Sequence, residues 1–104
     1  MENMTPTQKL SIWYANNCDE EWEHLYGITI GTVDNPGWSL KIDLEETTLD
    51  GVSFASVKQD RTPTDWIICH VKEHSFYGYG GPGNLDELIL IFLEWASKDS
   101  RKIE

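Results

Sequence analysis

The sequence predicts one α+β domain: an antiparallel meander of four to five strands, with N-terminal and C-terminal helices packed on one sheet face. Three observations predict it. Apolar residues recur at helical spacing near both ends, they alternate with polar residues in between, and glycine, proline and asparagine punctuate the alternating stretches. At 104 residues the chain can bury one core but not two, so residues 1–104 are read as a single domain.

The first helix starts at Thr5-Pro6-Thr7-Gln8. Thr5 suits the N-cap, Pro6 the first helical position, and Gln8 closes a capping box. Leu10, Trp13, Tyr14 and Asn17 then share a face, and the helix is expected to stop near Asn17-Cys18. The last helix follows Pro82-Gly83, with Asn84 as N-cap and Glu87 three residues on. Leu85, Leu88, Ile89, Phe92, Trp95 and Ala96 make its apolar stripe, which Ile91 and Leu93 widen. Leu90 falls on its otherwise polar side.

Between the helices the period drops to two. Tyr26, Ile28 and Ile30 alternate with Gly27, Thr29 and Gly31 in a first strand; Trp38, Leu40, Ile42 and Leu44 do so in a second. Asp34-Asn35-Pro36-Gly37 joins them, and Pro-Gly suits the centre of a type II turn. A weaker third strand is expected at Val52–Lys58, followed by an exposed loop at Asp60–Thr64. Trp66–Val71 reads as a fourth strand, with Ile67, Cys69 and Val71 on one face. Ser75–Tyr79 returns beside it. The five tryptophans, Trp13, Trp22, Trp38, Trp66 and Trp95, are read mostly as core, since each contributes a large apolar area.

Charge narrows the function classes. Eighteen acids against eight bases give a net charge of −10, which repels nucleic acid and anionic membranes and attracts a basic protein. No apolar run approaches the ~18–20 residues needed to span a bilayer. Met1-Glu2-Asn3-Met4 lacks the basic start of a secretory leader, and the two cysteines, Cys18 and Cys69, are expected reduced, in a cytoplasmic protein.

Gly78-Tyr79-Gly80-Gly81-Pro82-Gly83 matches the dinucleotide fingerprint, but no second parallel strand follows before Glu104, and Asp86 and Glu87 occupy the helix start where phosphate would sit. The segment reads as a flexible glycine turn. Cys18–His24 crowds metal ligands and acid/base groups without any metal-binding spacing, so it reads as a solvated acidic connection. Cys69 sits mid-strand and Cys18 follows a helix C-terminus beside three acids, and neither position favours a thiolate. No cofactor, metal or catalytic residue is expected.

Longer strings carry a resemblance. Trp13-Tyr14, Cys18-Asp19, Trp22-Glu23-His24-x-Tyr26-Gly27-Ile28, Asp34-Asn35-Pro36-Gly37-Trp38, Ile42-Asp43-Leu44, Asp65-Trp66, Cys69 and Gly78-x-Gly80-x-Pro82-x-Asn84-Leu85 together resemble the immunity protein 53 family, from about Leu10 to Trp95. The resemblance implies an antidote that binds and neutralises a cognate toxin of a bacterial polymorphic toxin system. It also implies that Trp13, Cys18, Trp22, His24, Tyr26, Gly27, Pro36, Gly37, Trp38, Trp66, Cys69 and Pro82 are shared, structural positions. Relatives often show Asp-Gly-Asp where this chain has Asp19-Glu20-Glu21.

The expected toxin contacts are Asp19, Glu20, Glu21 and Glu23 with Asp43 and Glu45, an acidic face for a basic toxin. The alternative is a small ligand- or metal-binding domain or enzyme that uses the Cys18–His24 region and the glycine loop 78–83. A monomer or a homodimer fits, the latter through Leu90 and the exposed sheet face.

Overall fold

The computed structural model describes residues 4–103, with side chains as far as Lys98. Residues 1–3, which bear on the expected absence of a leader, and Glu104 lie outside the described residues. The elements run α1 (Pro6–Asn17), α2 (Trp22–Leu25), β1 (Ile28–Val33), β2 (Gly37–Asp43), β3 (Val57–Thr62), β4 (Asp65–Lys72), β5 (Ser75–Gly80) and α3 (Leu85–Ile103). The fold is α+β, as expected, with five antiparallel strands between N-terminal and C-terminal helices.

The strand order is β1-β2-β5-β4-β3. A pure meander would set β3 beside β2. Instead β5 lies there, with Leu40 opposite Gly78 and Ile42 opposite Phe76, and residues 44–56 carry the chain past two strands. The sheet is thus a β1–β2 hairpin joined edge to edge with a β3–β4–β5 meander.

The central strands bury alternate residues because only one sheet face is covered. Leu40 and Ile42 of β2, Phe76 of β5 and Ile67 and Cys69 of β4 meet Leu88, Ile89 and Phe92 of α3 and Leu10 of α1. Aromatic edges fasten this layer: Phe92 lies 4.9 Å from Trp13 and 5.2 Å from Phe76, both edge to face. The predicted capping box of α1 is present, with Gln8 N–H donating to Thr5 Oγ1 at 3.1 Å and Thr5 N–H to Gln8 Oε1 at 2.8 Å. The α3 stripe also matches the reading, and Leu90 is 44% exposed.

The third strand and the loop after it are corrected. Residues 52–56 are loop, whereas residues 60–62 belong to β3. Leu49 is fully buried and Phe54 packs on Phe76 and Trp95, so a loop that plugs the core carries the apolar signal of a strand. Real β3 is an edge strand whose residues 58–62 are all exposed, so burial imposes no alternation on it. The turn is corrected as well: Asn35–Pro36 is cis, which a type II turn does not contain, and Gly37 is already in β2. Tyr26 follows α2 as its C-cap and is not part of β1.

Candidate functional site

Residues 18–26 form a tight turn because two carboxylates satisfy its backbone donors. Asp19 Oδ1 accepts the N–H groups of Glu21 and Trp22 at 3.0 and 2.9 Å. Glu23 accepts those of Asp19 and Glu20 at 3.0 and 2.9 Å. The Trp22 N–H, then that of Glu21, holds the Asp19 carboxyl below the usual carboxylate range. Glu20 sits at φ +76°, in the left-handed region that glycine enters without strain. The segment read as a solvated connection is therefore an ordered turn that ends in the single helical turn α2.

Trp22 anchors this turn to the sheet. It is 2% exposed, and its indole N–H donates to the Glu45 carbonyl at 2.9 Å. Trp13 and Tyr14 pack edge-on against it at 6.1 and 5.9 Å. The anchor brings Asp19–Glu23 to the end of the sheet where β2 leaves. There Asp43 accepts from the Gly27 N–H at 2.9 Å and the Ser75 hydroxyl at 3.2 Å, with Lys41 Nζ at 3.8 Å.

Topology adds Glu46, Asp50 and His74, which sequence reasoning missed. Glu45, Glu46, Asp43 and Asp50 all act on Tyr26, whose phenol is raised first by desolvation and then by these charges. His74, in the β4–β5 turn, lies 2.8 Å from Asp50, and this contact raises the imidazole above its ordinary value. Nothing local in the sequence joins residues 45–50 to residues 73–74. Only the skipped connection between β2 and β3 does. The six acids singled out from sequence and this second group thus lie on segments that meet at one acidic end.

The opposite end of β2 holds the glycine loop, which is packed as far as Gly81, whereas Pro82 and Gly83 are exposed. Gly78, Gly80 and Gly81 are buried, and a Cβ on Gly81 would collide with the Thr64 carbonyl oxygen. Likewise a Cβ on Gly37 would collide with the Gly80 carbonyl oxygen. Asn84 locks the loop: its Oδ1 accepts from Gly81 N–H at 3.1 Å and Trp66 N–H at 3.3 Å, instead of capping the first turn of α3. Its Nδ2 donates to Asp65 and Glu87, and Arg61 bridges those two carboxylates at 2.9 and 2.7 Å. The Trp38 indole N–H closes the set by donating to the Pro82 carbonyl at 2.8 Å.

The sequence alternative joins Cys18–His24 to this glycine loop, but the two lie at opposite ends of the sheet. His24 is exposed, and the Cys18 thiol donates to the Tyr14 carbonyl at 3.3 Å. Burial, helped by Glu87, pushes the Cys69 thiol up to about 12. Among the described residues, no three His, Cys, Asp or Glu side chains are grouped to hold a metal ion.

Among the described residues nothing covers the sheet face away from the helices, and that face is aromatic. Ile68 lies opposite Tyr79, and His70 lies opposite Tyr77 and stacks on both tyrosines at 5.3 and 6.3 Å. Trp66 is half-buried at one end of this face, beside a groove of about 570 Å³ that Val33, Asp60, Pro63 and Tyr79 also line.

A helix-backed antiparallel sheet with a packed interior, an acidic end and an uncovered aromatic face defines a small α+β domain that presents its chemistry on surfaces. The chain belongs to the family described as Immunity protein 53, which matches residues 7–97. Among curated proteins and solved structures, nothing matches the chain.

Proposed function

We propose that this chain is the antidote of a bacterial toxin system: it binds a cognate, basic toxin in the cytosol and blocks its working surface without catalysing a reaction. Membership of an immunity-protein family across residues 7–97 carries this reading. The charge of −10 supports it, because a negative surface speeds encounter with a basic protein and opposes nucleic acid and anionic lipid. No helix among the described residues is long and apolar enough to cross a membrane.

In this proposal the acidic end steers the toxin. Glu20 and Glu21 are exposed, and their carboxylates accept no hydrogen bond from any described residue. They are therefore available to a partner, together with Glu45 and Glu46. Co-expression with the toxin encoded next to its gene tests the reading: cells survive, and the two proteins co-purify. Rescue without a complex sinks blocking by binding. Reversing Glu20 and Glu21 to lysine should slow association about tenfold at low salt and much less at high salt, while stability stays within ~0.5 kcal/mol.

A further inference from the structure

The two edges of the sheet are built differently. At one, β3 carries Lys58, Asp60 and Arg61 and shifts register between Asp60 and Thr62. Charges and bulges are devices that stop a strand edge from pairing with another chain. At the other, β1 reads Ile28-Thr29-Ile30-Gly31-Thr32-Val33, with no charge, no proline and an unbroken register against β2.

Hydrogen bonding shows which groups this edge offers. The Asp43 N–H donates to the Gly27 carbonyl at 3.0 Å, and this sets the phase of the β1–β2 ladder. Gly27, Thr29, Gly31 and Val33 turn their backbone groups toward β2, while Ile28, Ile30 and Thr32 turn theirs outward. No described residue pairs with those outward groups. Beside them lies a groove of about 470 Å³ whose walls include Leu10, Tyr14, Tyr26 and Ile28. Ile30, on the same side of the strand as Ile28, is 41% exposed.

We propose that β1 is a docking edge: an extended basic segment of the toxin pairs with Ile28, Ile30 and Thr32 and places an apolar side chain in the groove beside Tyr14. The proposal rests on the immunity reading above. In strand addition the main-chain bonds supply affinity and the alternate side-chain pockets supply specificity. Charge selects the occupant. β1 starts beside Asp43, Glu45 and Glu46 and ends at Asp34. Two copies paired antiparallel about Ile30 would set Tyr26 of one near Asp34 of the other, so acid would meet acid at both ends, on chains of net charge −10. A strand flanked by lysine or arginine meets opposite charge at both ends instead.

The test uses the full chain and the toxin domain encoded beside it. Hydrogen exchange should show the amides of Ile28, Ile30 and Thr32 slowed at least about tenfold in the complex. Thr32→Pro removes an outward N–H without touching a β1–β2 bond, and Ile30→Lys sets a positive guard at the edge; each should raise Kd about 10–100-fold. Melting curves establish that the variants are folded, and exchange in the wild-type complex decides the matter where a variant is not. A wild-type complex that leaves the three amides unprotected overturns strand addition and leaves the immunity reading standing. No wild-type complex at all overturns both. A wild-type dimer that Thr32→Pro dissociates overturns the choice of occupant.

Discussion

Replacing Asn84 separates a structural polar lock from a ligand loop. Asn84 is 8% exposed and serves four partners: the N–H groups of Gly81 and Trp66, and the carboxylates of Asp65 and Glu87. Asn84→Ala removes the shared acceptor from a buried glycine backbone, and such a loss costs about 1–3 kcal/mol. For a domain of this size that is a fall in Tm of roughly 4–20 °C. Asn84→Asp keeps the acceptor but sets a third carboxylate ~3 Å from two others. Each such contact costs about 1.4 kcal/mol at the dielectric constant of water, and Arg61 offsets part of it. The sign follows from linkage. The new carboxyl is raised in the folded state, so its penalty holds at neutral pH and disappears as pH falls through that raised value. Urea denaturation followed by tryptophan fluorescence at pH 7 and pH 5 should show the gap between Asn84→Asp and wild type narrowing. An Asn84→Ala protein within ~0.5 kcal/mol of wild type, or an Asn84→Asp gap that ignores pH, would refute the lock.

Three other outcomes follow from the geometry. His74 is raised by Asp50, so their pairing stabilises the fold fully below the ordinary histidine value of 6.5 and is lost as pH rises through the raised one. Asp50→Asn should remove that fall in Tm between pH 6 and pH 9. Ellman's reagent at pH 8 should label Cys18 in the native protein and reach Cys69 only after unfolding, because the Cys69 thiol is buried and raised to about 12; two fast thiols would contradict that placement. Glu20→Gly should raise stability by about 0.5–1 kcal/mol in a denaturant titration, since Glu20 holds φ +76°.

Helices and central strands are legible because burial on one side leaves a periodic trace. The α3 stripe and the alternations of β2 and β4 are direct images of the core they build. β3 escapes sequence reasoning because an edge strand with residues 58–62 in water has no such trace, whereas the loop before it sends Leu49 and Phe54 into the core. Trp66 falls on the face opposite Ile67 and Cys69, as the alternation of β4 requires. The glycine run reads as flexible because sequence shows missing side chains but not the carbonyls that fill their place, at Thr64 and Gly80. Of the candidate site, the acids at 19–23 and at 43 and 45 can be named from sequence. Glu46, Asp50 and His74 cannot, because their proximity depends on β5 separating β2 from β4.

Net charge alone overstates what the surface can offer a partner. The carboxylates of Asp19 and Glu23 are bonded to the backbone of their own turn, and Asp43 holds the start of β1 and Ser75. Asp65 and Glu87 are shared between Arg61 and Asn84 at the far end. An oxygen that already accepts a backbone N–H can still attract a distant cation, because the field of a charge does not depend on its hydrogen bonds. A close bidentate pair there must share an oxygen with a bond that the fold uses, as Glu87 does between Arg61 and Asn84. On the proposed reading the acids divide by range: those bound internally contribute mainly to steering, and Glu20, Glu21, Glu45 and Glu46 contribute to contact as well. In the proposed antidote, close recognition falls on these acids near the start of β1, where an uncharged strand edge offers backbone groups with no partner among the described residues.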